Sequence, residues 1–425
     1  MSKKIHLVSL GCDKNLCDSE KLLAMAYDKG YEFTDEPETA DCIVVNTCAF
    51  ILDAQEESVN TILEMAGKKK KGALLYITGC LSERFGDEIK KEIPEVDFVI
   101  GNTELLGYLE REHITKRTVT TGGHYAFLKI AEGCDKHCTY CIIPALRGRY
   151  RSFPMEELIT EAEGLAGEGV RELILVAQET TVYGKDLYGR KMLPELLRRL
   201  SEIEGIEWIR VMYMYPEEIT DELLLAMSSL KKVLHYFDMP VQHSNDRVLK
   251  AMGRRTTGRE ILERIEKIRE IMPDACLRTT LITGFPGETE DEHEEVLRFI
   301  EEALFDRLGV FCYSREDGTK AALLPDQLPD EEKERRRDRI MSLQQEIAFD
   351  LCEEHIGEEF TVIVEGRLPD EEGNIYVGRT YMDAPDVDGL IYFDAGKRDF
   401  MTGDMVRVRA TDAREYDLYG ELITG

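Results

Sequence analysis

No stretch of this 425-residue chain approaches the ~18 consecutive apolar residues that a membrane span needs. A secretory leader of ordinary build is also missing. Lys3 and Lys4 make a positive start, and Val8-Ser9-Leu10-Gly11-Cys12 resembles a lipoprotein cleavage site. The apolar stretch from Ile5 to Leu10 is interrupted and too short for an h-region. Positive charge is scarce, with 54 Lys and Arg against 84 Asp and Glu, a net charge of -30. Such a field repels phosphate backbones and attracts basic partners. The basic runs Lys68–Lys71 and Arg335–Arg337 read as solvated helix surface, the second with Glu331, Glu332 and Glu334 beside it. The 11 cysteines are an odd number, and without a leader they argue for reduced thiols and metal ligation rather than a disulfide frame. A cytoplasmic protein is expected. The length predicts two to four domains, and 43% hydrophobic with 32% charged residues suits soluble cores.

What is present begins with Gly133-Cys134-Asp135-Lys136-His137-Cys138-Thr139-Tyr140-Cys141. Three thiolates spaced C-x3-C-x2-C reach one centre only if the backbone loops around it. Soft thiolates suit zinc or an iron–sulfur cluster. A structural zinc wants four protein ligands, and His137 is the candidate fourth. A 4Fe-4S cluster held by three cysteines instead leaves one iron open to a small molecule.

Upstream, Lys4–Leu10, Ile43–Cys48, Leu74–Cys80 and Phe98–Asn102 read as short strands separated by helical patterns. Alternation of this kind predicts an open α/β domain with a parallel sheet. Cys12, Cys48 and Cys80 close three of these strands, so they are expected together at the carboxyl edge, where open sheets bind ligands. Each alone would read as a buried apolar cysteine; three at equivalent positions make a second three-thiolate set. Cys17 and Cys42 fall outside it and read as structural. Lys116–His124 reads as a linker. Strands then follow at Ala126–Ala131, Leu173–Ala177, Trp208–Tyr213, Tyr236–Val241, Ala275–Thr283 and Leu308–Cys312. Helices are predicted near Met155–Ala166, Leu193–Ile203, Asp221–Leu230, Arg259–Met272 and Asp291–Ala303. Six β/α units predict a partial (β/α)6 barrel with its site at the carboxyl face. Residues 330–356 read as a charged helix. Beyond Glu358, Phe360–Gly366, Asn374–Thr380, Gly389–Phe393 and Asp404–Ala413 predict a small all-β barrel. It holds seven basic and sixteen acidic residues, unlike a nucleic-acid-binding module.

This layout resembles the radical-SAM methylthiotransferases over essentially the whole chain. The resemblance rests on Ser9–Cys12, Asn46–Cys48, Thr78–Cys80, Gly133–Cys141, Cys141–Pro144 with Arg147-Gly148, and Gly284–Thr289. Val211–Pro216, Met239–His243 and Arg278–Gly284 are similar to the RimO-like branch, which adds a methylthio group to the β-carbon of an aspartate in small-subunit ribosomal protein twelve. The alternative is the MiaB-like branch, which acts on isopentenyl-adenosine in tRNA; the acidic final barrel favours the basic protein. Phe153 stands where related chains carry a basic residue. The implied divisions are an N-terminal α/β domain (1–118), a radical-SAM partial barrel with its connecting helix (119–356) and a TRAM-like β-barrel (357–425).

The resemblance implies two 4Fe-4S clusters and S-adenosylmethionine (SAM). Cys134, Cys138 and Cys141 would hold the first, where SAM is cleaved to a 5′-deoxyadenosyl radical. Cys12, Cys48 and Cys80 would hold the second, which carries the sulfur to be methylated and transferred. No protein acid or base is implied, because the cofactors carry the hard chemistry. An electron donor is needed. A pure electron carrier would want four cysteines per cluster. Further candidates each have a plainer reading. Tyr140 packs on the adenine or is a core aromatic. Gln178 and Glu179 contact the SAM amino group or belong to a solvated loop. Thr283 and Gly284 line the rim, and glycine permits a ligand's close approach. Gly287 and Glu288 are a turn and helix start. His243 and Arg278 are ligand contacts or satisfied structural groups.

Overall fold

The computed structural model describes residues 2–112, 114–369 and 373–423. Its first layer is a parallel sheet in the order β2-β1-β3-β4-β5, built from β1 (Lys3–Ser9), β2 (Tyr31–Phe33), β3 (Cys42–Thr47), β4 (Leu74–Gly79) and β5 (Phe98–Val99). Helices α1 (Asp13–Asp28), α2 (Leu52–Lys68), α3 (Cys80–Glu92) and α4 (Asn102–Arg111) connect or follow these strands. The edge strand β2 is absent from the sequence reading because its three residues carry no alternation that separates them from a loop. Ile43, Val45, Leu75 and Ile77 fill the core beneath the sheet.

The expected linker is pinned rather than free. The Arg117 guanidinium is buried between Glu20 and Glu161 and also donates to the Phe127 carbonyl, while the Thr120 N–H donates to Glu20 Oε1 at 2.7 Å. Beyond it, β6 (Tyr125–Lys129) begins the partial barrel. A two-residue pair, β7 (Ala131–Glu132) with β8 (Arg151–Ser152), clasps the base of the cysteine loop, which contains α5 (Ile143–Arg147). The remaining barrel strands are β9 (Glu172–Val176), β10 (Trp208–Val211), β11 (Tyr236–Asp238), β12 (Cys276–Thr283) and β13 (Arg307–Cys312). Strands β6, β9 and β10 pair in parallel, as do β11, β12 and β13; the Ile209–Val233 bridge joins the halves. The six-unit expectation therefore holds, with helices Met155–Gly167, Leu193–Ser201, Asp221–Ser229, Gly258–Ile271 and Glu290–Ala303 between strands.

Helix Asp330–Glu354 leads to a closed barrel of five strands in the order β14-β15-β16-β18-β17: β14 (Glu359–Arg367), β15 (Ile375–Arg379), β16 (Ile391–Asp394), β17 (Met405–Arg414) and β18 (Asp417–Leu422). The fifth strand, absent from the sequence reading, closes the barrel by pairing parallel to β16. Residues 380–388 of this barrel seal the amino-terminal end of the larger one. Arg210 donates to the Tyr381 carbonyl at 2.7 Å, Arg307 pairs with Asp383 at 2.8 Å, and the Tyr236 hydroxyl meets Asp388 at 2.6 Å. The carboxyl face, at the opposite end, stays available for chemistry. Among the described residues no helix is long and apolar enough to cross a membrane.

Candidate functional site

The strands β1, β3 and β4 are neighbours and parallel, so Cys12, Cys48 and Cys80 emerge side by side at one edge. Cys12 precedes α1 and is exposed; Cys48 and Cys80 are buried. Gly11 lies at φ +86°, where a Cβ would stand 2.8 Å from the Cys48 Cβ and 2.9 Å from its sulfur. The first strand's turn can press against Cys48 only because that atom is missing. Ser58 clamps Cys48 from α2, accepting its N–H at 3.0 Å and donating to its carbonyl at 2.9 Å. Asn15 ties the strand ends together, donating to the Leu10 carbonyl at 2.8 Å and the Thr47 carbonyl at 3.0 Å. Burial pushes the Cys48 thiol up and the Cys80 thiol up to about 11, while Arg147 pulls both the other way.

The second group lies in the loop between β7 and β8, at the carboxyl end of the first barrel strand. Cys134 and Cys138 are buried and Cys141 is half-buried. The loop is held by backbone: Cys134 N–H to Gly148 O at 3.2 Å and Thr139 N–H to Met252 O at 2.9 Å. Burial raises the Cys134 thiol to about 11 and the Cys141 thiol to about 12. Among the described residues no three His, Cys, Asp or Glu side chains gather tightly enough for a single metal ion, and His137 is exposed. The zinc alternative with His137 therefore gains no four-ligand group. Two sets of three soft thiols fit a group that spreads its ligands over several irons.

Around that loop lie two residues that sequence reasoning did not single out, Tyr215 and Arg254, and one that it did, Glu179. The Tyr215 hydroxyl is 3.8 Å from Cys138 Sγ, and the Arg254 guanidinium sits 4.1 Å over the Tyr215 ring. The Arg254 side chain is 1% exposed, yet its Nε and one terminal nitrogen have no partner; the other donates to Pro240 O at 3.1 Å. Two unsatisfied buried cationic donors fit a carboxylate. In sequence Arg254 is merely the residue after Met252-Gly253, with no spacing to mark it. Glu179 is buried just beyond β9. Its Oε1 accepts from the Thr181 N–H at 3.0 Å, its Oε2 accepts no hydrogen bond and faces the Lys136 ammonium at 4.0 Å, and burial lifts its carboxyl to about 7. It is therefore no solvated loop residue.

The other candidates divide. Tyr140 packs beside Phe285 and Tyr313. Gln178 turns to Glu132, donating to Oε1 at 3.1 Å. Thr283 is buried at the rim with its hydroxyl unpartnered. Gly284 lies against the stem of Lys333 and donates its N–H to Glu288 Oε2 at 2.7 Å. Glu288 also receives Arg336 at 2.8 Å, so it clasps the turn through Gly287 to the long helix. His243 is buried and accepts the Asn245 N–H at 3.0 Å; desolvation holds it neutral, down to about 3. Arg278 sits low in the barrel, paired with Asp238 at 2.7 Å and Asp388 at 3.5 Å, a structural role. Phe153 lies 5.7 Å from Lys129 Nζ and 5.8 Å from Lys21 Nζ, a site already crowded with ammonium groups.

One side chain touches both halves. Arg147, fully buried on α5, donates from Nε to Cys80 Sγ at 3.3 Å. One terminal nitrogen reaches Asp18 and both oxygens of Glu132, each at 3.3 Å, and the other reaches Asn15. Lys129 pairs with the same two carboxylates. Burial opposes ionisation of Glu132, but Arg147 and Lys129 outweigh it and hold the carboxyl down at about 2. Sequence resemblance marked Arg147 only as part of a motif; its reach across to the N-terminal sheet needs the folded chain.

Comparison with known proteins agrees with this architecture. Residues 4–101 match the uncharacterized protein family UPF0004, residues 128–300 the radical SAM superfamily and residues 356–423 the TRAM domain. The chain is similar to the ribosomal protein uS12 methylthiotransferase RimO of Lachnoclostridium phytofermentans, with 53% identity over 98% of this chain and 99% of that one. The protein of the same name from Acetivibrio thermocellus is 47% identical over 100% and 99%. Among solved structures, the radical SAM methyltransferase TsrM from Kitasatospora setae has a TM-score of 0.54 at 13% identity, covering 88% of this chain and 82% of its own, which bears on fold alone. With such identity over nearly its full length, the chain belongs to the RimO family of ribosomal protein uS12 methylthiotransferases, within the radical SAM superfamily.

Proposed function

We propose that this protein adds a methylthio group to the β-carbon of an aspartate in ribosomal protein uS12, and that both cysteine sets hold 4Fe-4S clusters. The radical-SAM assignment carries one cluster and SAM. The second cluster is supported by Cys12, Cys48 and Cys80 leaving three adjacent parallel strands, with Arg147 of the first loop bonded to Cys80; that contact is the observation on which the reading rests. We assign the first cluster to Cys134, Cys138 and Cys141.

Bound there, the clusters and SAM would supply a radical that takes hydrogen from the substrate carbon and the methylthio group that replaces it. The chain's own residues bind and orient. Arg254 offers two unpartnered donors to the SAM carboxylate, and Glu179 offers its amino group a carboxylate oxygen that accepts no hydrogen bond and has Lys136 4.0 Å away. We assign Tyr140 and Thr283, the latter with a buried hydroxyl that has no hydrogen-bond partner, to the same site; Gln178 contributes by fixing Glu132, and Gly284 by fixing the rim turn. Burial of Arg254 and Glu179 keeps competing water from these contacts.

We divide the chain at 1–118, 119–356 and 357–425. The acidic C-terminal barrel repels a polyphosphate chain, which supports a basic ribosomal protein over tRNA. An external electron donor and a cytoplasmic setting follow from the substrate and the chemistry.

The test is anaerobic incubation of the reconstituted protein with SAM, a reductant and uS12. A gain of about 46 Da on one aspartate is expected, a cofactor-supplied methylthio group in place of one hydrogen. A Cys12/Cys48/Cys80 triple alanine variant should fall from about eight irons to about four, as two thiolate-held clusters require, and still release 5′-deoxyadenosine. SAM cleavage without any mass gain on uS12 would refute the activity. Unchanged iron in the triple variant would refute the second cluster.

A further inference from the structure

We propose that Arg147 is a positioning residue shared by the two cysteine sites: carried by the loop of the first, it fixes the Cys80 sulfur of the second and raises that cluster's reduction potential by donating a hydrogen bond to it. The proposal rests on the two-cluster reading.

Charge balance alone does not explain this residue. The buried group contains two cations, Lys129 and Arg147, and two carboxylates, Asp18 and Glu132. Lys129 already touches both carboxylates, and the four charges cancel without any sulfur. What the guanidinium adds is a rigid fork with donors in three directions. Two directions are taken by Asp18 with Glu132 and by Asn15, which anchor it to both the barrel and the N-terminal sheet. The third, Nε, is aimed at Cys80 Sγ at 3.3 Å. Asn15 in turn holds the ends of β1 and β3, so the fork fixes Cys80 relative to the turn carrying Cys12 and the strand carrying Cys48. The loop bearing Cys134, Cys138 and Cys141 is thereby registered against the other three cysteines through one rigid side chain. A positive N–H donor on a ligand sulfur favours the more negative, reduced cluster, so its potential rises.

The experiment uses the full chain with Cys134, Cys138 and Cys141 replaced by Ala, so that only the second cluster remains. After anaerobic reconstitution, iron is counted and the cluster's potential is read by redox titration followed by electron paramagnetic resonance. About four irons confirm a cluster to measure; none would refute the two-cluster reading itself, a failure separate from the present one. Arg147→Lys keeps the charge, so the buried carboxylates stay compensated, but loses the fork. It is expected to retain the iron with a lower potential and an altered resonance signal. Arg147→Met, if it folds, should lie lower still. An Arg147→Lys protein with full iron and the parent's potential and signal would overturn the proposal, since a merely structural arginine would leave both unmoved.

Discussion

The Lys14 ammonium sits 3.5 Å from the centre of the Tyr213 ring. These residues come from different parts of the fold: Lys14 follows Cys12 at the start of α1, and Tyr213 follows the third barrel strand. Tyr213 adopts φ 58°, and its N–H donates to Asp238 Oδ2 at 2.9 Å. That uncommon backbone conformation turns the ring toward the N-terminal sheet. Burial disfavours the Lys14 charge, but Asp13 at 3.0 Å, with lesser help from the titratable groups of Tyr213 and Cys12, outweighs it and raises the amine above its usual range. Where Arg147 braces Cys80, this pair braces the turn at Cys12.

Tyr213→Leu should therefore destabilise the protein. A desolvated cation–π contact is worth ~2 kcal/mol, and loss of that order is expected in urea denaturation of the cluster-free chain. Tyr213→Phe keeps the ring and gives up only a hydroxyl 3.4 Å from Asp13, so a cost under about 1 kcal/mol is expected. Equal losses in the two variants would show that the ring face contributes nothing.

Gly11→Ala should separate the two cysteine sets. The new Cβ would stand 2.8 Å from the Cys48 Cβ at a positive φ, so the turn must move away from Cys48. Iron content is expected to drop from about eight toward about four per chain, with 5′-deoxyadenosine release retained and methylthio product lost. Full iron in the variant would mean that the turn tolerates the side chain.

Much of this site was legible in the sequence, because parallel strands share a direction. Cysteines placed just after three strand-like runs had to meet at one edge once those strands were neighbours, and β1, β3 and β4 are. The six barrel strands were legible for the same reason: Leu173–Val176 and Trp208–Val211 are short runs dominated by apolar residues that can be buried on both faces. What escaped was contact between distant segments. Lys116–His124 has linker composition, yet Arg117 finds Glu20 and Glu161 only when three elements fold together. Arg254 and Tyr215 converge on Cys138 from separate β/α units, and no one-dimensional spacing encodes that. For Arg278 the sequence left a ligand contact and a structural role open; its place near the start of β12, at the sealed end of the barrel, selects the structural one.

SAM binding should depend on pH through Glu179. Its buried carboxyl titrates at about 7, so it is protonated below that and carries the charge that pairs with the SAM ammonium above it. Affinity measured by equilibrium dialysis is expected to weaken as pH falls through about 7, and Glu179→Gln should flatten the profile. The stability effect has the opposite sense. The folded carboxyl keeps a proton that the unfolded chain, near 4.5, has already lost. Stability from this group is therefore lost as pH rises from about 4.5 through 7, and the Gln variant should gain relative stability at pH 8. A wild-type binding profile flat between pH 6 and 8 would remove Glu179 from the SAM contact.

The seal between the two barrels rests on Glu172, buried between Arg210 at 2.8 Å and Arg379 at 2.7 Å. Burial would push this carboxyl up, but Arg379 and Arg210 outweigh it and lower it below its usual value. The contribution of such a group is present above the unfolded value near 4.5 and is lost as pH falls through the lower folded value. Arg379→Met leaves Glu172 with one partner and Glu365 with none of its 2.6 Å pairing to Arg379. Breaking a buried ionic group from one side costs about 3–5 kcal/mol. The expected loss in urea denaturation is of that size at pH 7. It should shrink as pH falls through the lowered folded values and the carboxylates protonate. Because residues 380–388 seat against the amino-terminal ends of the barrel strands, the loss should reach the barrel core as well. A β-barrel that melts alone, with the larger barrel's transition unchanged, would show that the seal holds the small barrel in place without supporting the strands that carry the cysteine loop.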